Sequence, residues 1–364
     1  MKVAIFLGAL IRGGMETLVL DVMRKQSIAP FDMICVYRKE GNYSDAFHAT
    51  SVPMIQLKRK GGLLSYIFSL RKLFLDAKVD IVHAQTPSNA LLCTIALIGT
   101  GIKLVTTMHG FSFMQEKSWK QNIVFRYSKQ VVFVSRYQQQ LYAQQLRVHR
   151  NIQHCTIVYN GIDMLKFEKQ YERPNFLKKD NLSLAMIGSF SSARSQKVII
   201  EAVHELKKNG RWNEVKFYFI GGEFRGEEYR MRECEEAVKQ FNLEKEIFFV
   251  GVRDDIPAVL QHIDGYVYSS ENDTFGISVV EAMIAGVPVV VNDFEVMREI
   301  TREGEWASLY KTDNAIDCAE KLEELIHNIE DYKNKAKSNR GIIKETYSIN
   351  RHIDNIYKVY QAAL

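Results

Sequence analysis

Short apolar runs rich in Val, Ile and Phe alternate with amphipathic stretches of helical spacing along almost the whole chain. In the first half the runs are Val3–Leu7, Met33–Tyr37, Asp80–His83, Lys103–Met108, Val131–Val134 and Thr156–Val158. Between them lie Glu16–Gln26, Leu63–Ala77, Asn89–Ile98 and Arg136–Leu146. Strands that are apolar almost throughout are covered on both faces, and strands that alternate with helices pair in parallel. The pattern predicts a doubly wound parallel sheet.

Near Asn160–Asp180 the pattern lapses into FEKQYERPNFLKKDN, a charged stretch with a proline, read here as an interdomain linker. Alternation restarts with strands at Leu182–Ile187, Lys216–Ile220, Ile247–Val250, Gly265–Tyr268 and Val287–Val291. Helices are expected over Gln196–Lys208, Glu227–Phe241, Asp255–Gln261, Ser278–Ala285 and Asn314–Ser338. A last amphipathic segment, Asn350–Ala362, has no strand after it. The expected organisation is one domain over 1–165, a second over 166–345, and a helix within 346–364 packing back near the first domain. Two such α/β domains facing a cleft place functional residues on the loops after the strands, where ligands of doubly wound sheets bind.

Composition agrees with this and closes other routes. The 364 residues suit about two domains, and 46% apolar with 25% charged residues is the balance of a globular protein. The five cysteines (Cys35, Cys93, Cys155, Cys234 and Cys318) are scattered without C-x-x-C spacing, which argues against a disulfide framework or zinc knuckle and for a reducing, cytoplasmic setting. The apolar start stops at Arg12 without a cleavage site and reads as a buried strand, not a leader. The longest apolar stretch, Ala90–Ile102, is too short to span a bilayer. Charge is divided: residues 1–165 carry 20 Lys and Arg against 9 Asp and Glu, and residues 166–364 carry 28 against 34. A basic first half suits anionic partners such as lipid surfaces or phosphates, or is simply a solubilising surface. No aromatic stacking motif or recognisable module accompanies the basic residues, so nucleic acid is not expected.

Two loops carry candidate chemistry. The first, Gly8-Ala-Leu-Ile-Arg12-Gly13-Gly14-Met-Glu16, enters a helix through two glycines, where backbone amides meet an anion. It lacks the Lys-Ser/Thr of a Walker A loop, and a structural tight turn explains it equally well. The second, SSENDTFGISVVEAMIAGVPVVV over 269–291, follows a strand with Asp273, opens a helix at Phe275–Gly276 and carries Glu281 within it. A glycine at a helix start leaves amides for a diphosphate, and carboxylates nearby accept hydrogen bonds from hydroxyls of ribose or a sugar. Helix capping by a solvated charge accounts for Asp273 but poorly for Glu281, whose neighbours Val279, Val280 and Met283 are apolar.

The stretch DTFGISVVEAMIAGVPVV closely resembles the E-x7-E region of retaining glycosyltransferases of family 4, which have the GT-B fold. GGME at 13–16, DIVHAQTP at 80–87, TTMHG at 106–110, VVFVS at 131–135 and IVYNGID at 157–163 resemble family segments in the usual order. IGSFSSARSQKVIIEAV at 187–203, FYFIGGE at 217–223 and IFFVGVRDDI at 247–256 continue the series. The resemblance implies that Glu281 holds the ribose hydroxyls and that Asp273, one methylene shorter than the usual glutamate, contacts the transferred sugar. It implies that Thr274, Phe275, Gly276 and Ile277 cradle sugar and diphosphate, that Gly14 approaches the donor phosphate, and that Val252 lies near the base. His109 matches a histidine beside the reacting sugar, and Arg12 and Glu16 become acceptor-side candidates.

Ser189 stands where the family commonly has an arginine, and Arg194 where it has a lysine, so one of two cations facing the leaving diphosphate is missing unless Lys197, Arg253 or Arg12 supplies it. The implied function is a metal-independent retaining transferase without a cofactor. It moves a sugar from a nucleoside-diphosphate sugar, UDP before GDP, to a glycan or lipid-linked acceptor in cell-surface polysaccharide synthesis. Charge on Leu63–Ala77 and on Lys58-Arg59-Lys60 admits peripheral contact with the inner face of an anionic membrane, or the helix simply packs on its sheet. The departures at Ser189 and Asp273 keep a non-catalytic nucleotide-sugar-binding partner open beside a GT-B epimerase or phosphorylase.

Overall fold

The computed structural model describes residues 1–58, 61–146, 154–210, 212 and 214–364. Arg59 and Lys60 of the basic run lie outside the described residues. The chain forms two compact units, Met1–Asp163 with Tyr347–Leu364, and Met164–Thr346.

In the first unit β1 (Lys2–Ala9), α1 (Gly14–Arg24), β2 (Asp32–Lys39), α2 (Ser44–His48) and β3 (Met54–Gln56) lead to α3 (Leu63–Asp76). Then follow β4 (Ile81–Ala84), α4 (Pro87–Ala96), β5 (Lys103–Met108), α5 (Ser118–Tyr127), β6 (Gln130–Phe133), α6 (Arg136–Leu146) and β7 (Cys155–Ile157). The seven strands are all parallel, in the order β3-β2-β1-β4-β5-β6-β7. Val3 to Leu7 are all buried because β1 is covered on both faces. Val3, Ile5 and Leu7 join the core that includes Leu18 to Met23 of α1, while Ala4 and Phe6 join the core of Tyr66, Leu70 and Phe74 from α3.

The second unit contains β8 (Leu182–Ile187), α7 (Gln196–Lys208), β9 (Val215–Ile220), α8 (Tyr229–Gln240), β10 (Ile247–Gly251), α9 (Ile256–His262) and β11 (Gly265–Tyr268). It continues with α10 (Ile277–Ala285), β12 (Val289–Asn292), α11 (Glu295–Ile300), β13 (Ser308–Tyr310), α12 (Ala315–His327) and α13 (Ile329–Tyr347). Its six parallel strands run β10-β9-β8-β11-β12-β13. The chain ends in α14 (Ile349–Ala363), whose buried Ile349, Ile353, Ile356 and Tyr360 complete the core around α1. Tyr360 meets Phe31 edge-on at 5.0 Å between ring centroids.

Strand order reverses between β1 and β4 in one sheet and between β8 and β11 in the other. Those are the switch points outside which ligands bind. The loops that leave them are 10–13 and 85–86, and 188–195 and 269–276.

Several elements depart from the sequence reading. The expected helix Asn314–Ser338 is two helices, broken at Asn328, whose φ of −115° ends α12 while its Nδ2 donates to the Glu324 carbonyl at 3.0 Å. The strand expected over Val287–Val291 begins at Val289, after Pro288, which brings no N–H to a ladder. The edge strands β3 and β13 have three residues each, too few to show a period. Helix α5 carries only a weak apolar stripe, and α2 and α11 are short, with five and six residues. Among the described residues no helix is long and apolar enough to cross a membrane.

Candidate active site

In the second unit the site is built on the loop between β11 and α10. Gly276 caps α10 at φ 79°, a left-handed conformation that favours glycine, and a Cβ there would come within 2.8 Å of Met297. Close packing recurs at the ends of β8 and β9, where a side chain on Gly221 would stand 2.0 Å from the Gly188 carbonyl oxygen.

Asp273 is held at both oxygens. Its Oδ1 accepts from the backbone N–H of Phe275 at 3.2 Å and of Gly276 at 3.1 Å. Its Oδ2 accepts from Tyr268 Oη at 2.6 Å and pairs with Arg194 Nη2 at 3.2 Å. Sequence reading had Asp273 contacting a transferred sugar and the loop amides cradling it. The shorter carboxylate accepts from two amides of its own loop, just ahead of α10, whose cap residue is Gly276. The Phe275 side chain is in the core, and Thr274 is buried.

Arg194 lies in the loop before α7 and spans to the β11 loop. Nη1 donates to Ser270 Oγ at 3.2 Å and to the Ala193 carbonyl at 3.3 Å, and the guanidinium lies 5.1 Å from the centre of the Tyr268 ring. Burial works against its charge, but the fields of Tyr268, Asp273 and Tyr266 outweigh that and hold its pKa above the usual value. Ser270 is in turn fixed by Asn292 at the end of β12, whose Oδ1 accepts from Ser270 N–H at 3.0 Å while Nδ2 donates to the Ser270 carbonyl at 2.8 Å. Tyr268, Ser270 and Asn292 were not among the residues singled out in the sequence. Only their places at or just beyond the carboxyl ends of buried strands could have marked them.

Glu281 is partly buried on α10. Its charge raises the pKa of Tyr266 further, beyond the effect of burial, and Tyr266 Oη donates to the Ile187 carbonyl at 3.2 Å. Ile277 begins α10 and is partly exposed, and Val252 is 69% exposed.

Each of the suggested replacement cations has a neighbour of its own. Arg253 grips Asp255 with two hydrogen bonds of 2.8 and 2.6 Å, and Lys197 stands 4.0 Å from Glu201. The Arg12 guanidinium lies 4.9 Å from the centre of the Tyr43 ring in the first unit.

In the first unit Gly13 caps α1 with an extended backbone, and Gly14 begins it. A Cβ on Gly13 would stand 2.7 Å from Glu16 Oε2, so the glycine makes room for the buried glutamate. Burial raises the Glu16 pKa to about 6, against a hydrogen bond with its own backbone that lowers it. His109 follows β5, and its Nε2 meets Gln85 Oε1, beyond β4, at 2.9 Å. Behind them His83 is held between Tyr360 Oη and Thr107 Oγ1, at 2.7 Å each, and His352 Nδ1 meets the Tyr159 carbonyl at 2.8 Å. His83, Gln85, Thr107, His109, His352 and Tyr360 line one cavity. Burial, then the neighbouring histidines, pushes His83 and His109 down to about 3, so both are neutral near pH 7. Gln85 and His83 stand in the DIVHAQTP segment without having been picked out. Among the described residues no group of three His, Cys, Asp or Glu is placed to hold a metal ion.

The family model for glycosyl transferases group 1 matches residues 167–341, and that for glycosyltransferase family 4 matches residues 12–164. The Escherichia coli UDP-Gal:alpha-D-GlcNAc-diphosphoundecaprenol alpha-1,3-galactosyltransferase is 22% identical over 315 residues, covering 81% of this chain and 78% of that protein. The Campylobacter jejuni N,N'-diacetylbacillosaminyl-diphospho-undecaprenol alpha-1,3-N-acetylgalactosaminyltransferase is 26% identical over 302 residues, covering 76% and 75%. Among solved structures, Anabaena HepE in complex with UDP-glucose is similar over 100% of both chains, with a TM-score of 0.86 and 18% identity. That likeness speaks for the fold.

Proposed function

Because the chain belongs to the family 4 glycosyltransferases of GT-B fold, we propose that it is a retaining enzyme that transfers a sugar from a UDP-sugar to a glycan or lipid-linked acceptor in cell-surface polysaccharide synthesis. The observation that carries this reading is Arg194, kept charged while buried beside the N-terminus of α10. Cleavage of the sugar–phosphate bond leaves the electron pair, and so negative charge, on the departing diphosphate. A fixed guanidinium and a helix N-terminus stabilise such charge without reorganising. The acceptor hydroxyl forms the new bond on the face the diphosphate leaves, and its proton passes to a phosphate oxygen. Glu281 takes the ribose hydroxyls, with Gly14 and the Thr274–Ile277 loop near the phosphates and Val252 near the base. Neutral His109 exchanges hydrogen bonds with a sugar hydroxyl, and Arg12 and Glu16 belong to the acceptor side. Protein groups carry the leaving-group charge, so no metal or cofactor is required. Relatives named for undecaprenol-linked substrates support a lipid-linked acceptor, which sets the enzyme at the inner surface of a membrane as a peripheral protein.

The inward turn of Asp273 favours one other reading, a nucleotide-sugar-binding chain without turnover. Melting curves with UDP, GDP, ADP and CMP, followed by radiolabelled transfer from UDP-sugars, separate the two. A ligand at 100 times its Kd adds about 2.7 kcal/mol of stability, worth a few degrees. A shift with UDP together with transfer supports the enzyme, a shift without transfer supports the binding chain, and no shift with any nucleotide sinks both.

A further inference from the structure

We propose that Arg38, at the end of β2 in the first unit, grips a phosphate of the acceptor over Gly8, an inference that rests on the transferase reading for its purpose. Arg38 is the last residue on the face of β2 whose Ile34 and Val36 are buried with Ala4 and Phe6 of β1. The register of Leu7 with Tyr37 and Ala9 with Lys39 sets Gly8 across from it. Gly8 has no side chain to fill that place, and a Cβ there would stand 3.2 Å from Arg38 Nη2. Nε, on the same edge of the guanidinium, is buried without a hydrogen-bond partner among the described residues. Arg253 shows what such an edge grips, since its Nε and Nη2 hold the two oxygens of Asp255 at 2.8 and 2.6 Å. Glu40, two residues from Arg38, turns elsewhere: it accepts from Tyr37 Oη at 2.5 Å and lies 3.4 Å from His48 Nε2.

The unmet groups name the ligand. A buried guanidinium N–H without a partner is costly, and its side-on edge matches two oxygens of a phosphate. Asn89, fully buried in the first turn of α4, donates from Nδ2 to the Phe6 carbonyl at 3.3 Å. Its Oδ1 has no partner among the described residues and is an acceptor for a hydroxyl. A sugar phosphate carries both groups. The place suits an acceptor, because the end of β1 borders the switch between β1 and β4. Leu10 N–H donates to the Lys39 carbonyl at 3.0 Å and Arg12 N–H to Asn42 Oδ1 at 3.0 Å, which fastens the loop bearing Arg12 to the end of the strand bearing Arg38.

Full-length protein saturated with UDP, which fills the donor site, is titrated calorimetrically with glucose 1-phosphate, geranyl diphosphate and glucuronate. The expected result is binding of a phosphate probe beside UDP. Arg38→Gln weakens it at least about ten-fold and leaves the UDP melting shift unchanged. Gly8→Ala, which crowds the guanidinium, weakens it with Arg38 intact. Absence of phosphate binding beside UDP, equal binding by Arg38→Gln and the parent, or a preference for glucuronate overturns the proposal. Tighter binding of geranyl diphosphate supports the subsite with a lipid-linked phosphate as its ligand, and tighter binding of glucose 1-phosphate supports it with a soluble one. A UDP shift without phosphate binding removes the subsite alone. Phosphate binding that depends on Arg38, without any UDP shift, removes the transferase reading alone.

Discussion

Arg194 and Asp273 form an ion pair of 3.2 Å at the N-terminus of α10, with side chains only 22% and 11% exposed. The pair is asymmetric. Without Arg194, Asp273 retains Tyr268 Oη and the amides of Phe275 and Gly276. Without Asp273, Arg194 is a buried cation left with neutral partners, Ser270 and Ala193.

Asp273→Ala is therefore expected to destabilise the second unit by about 3 kcal/mol, from the unpaired charge and the lost loop hydrogen bonds. Arg194→Ala is expected to destabilise less and to lower kcat by about 100-fold or more, with the Kd for UDP changing less than the rate. Urea melts and steady-state kinetics on both variants check this. Equal stability losses, or an unchanged kcat in Arg194→Ala, refute it.

Glu281→Ala should weaken UDP binding by about 1.5–3 kcal/mol, the range for hydrogen bonds to a charged group. The affinity for inorganic pyrophosphate, which has no ribose, should hardly move. Calorimetric titration with both ligands tests the assignment, and parallel losses would mean that Glu281 serves the phosphates or the fold.

Glu16 is buried at a cost that depends on pH. Its folded pKa of about 6 lies above the ordinary 4.5, so the folded state binds more protons between those values and stability falls as pH rises through them. By pH 8 the loss is about 2 kcal/mol. Glu16→Gln should recover it at pH 8 and gain little at pH 4. Melting temperatures at the two pH values decide, and equal gains at both would show that charge is not the cause.

The buried histidines give the opposite slope. His83 and His109 titrate near 3 when folded and near 6.5 when unfolded, so the unfolded chain takes up protons that the folded one refuses. Between pH 7 and pH 5 the first unit should lose about 4 kcal/mol, roughly half of it from each histidine. Hydrogen exchange of β4 and β5 across this range measures the loss, and His83→Asn should halve it. An acid response identical in the variant would place its origin elsewhere.

Much of this was legible in order along the chain. The apolar period of β1, β4, β6, β8 and β11 marked the sheets, and the glycine before α10 marked the loop that opens that helix, because period and backbone freedom are local properties. The amphipathic run Asn350–Ala362 similarly announced α14. Of the edge strands, β7 and β10 were read but β3 and β13 were missed, since their three residues carry no period and pair only because a neighbouring strand waits for them.

The candidate site divides along the same line. Residue types and spacing in 13–16, 106–110, 187–203 and 273–281 sufficed to point to a family and to name Gly14, His109, Arg194, Asp273 and Glu281. They left open which way each side chain faces. A carboxylate at 273 reads equally as a sugar ligand or a helix cap, and only the fold brings Tyr268 and Arg194 onto it, from five and 79 residues away. Likewise His83, Gln85 and Tyr360 become neighbours of one cavity only when the last helix returns to the first sheet. Sequence by itself determined the elements and the inventory of chemical groups. Tertiary structure decided their partners, because charge, burial and hydrogen-bond satisfaction depend on what long-range folding brings within a few ångströms.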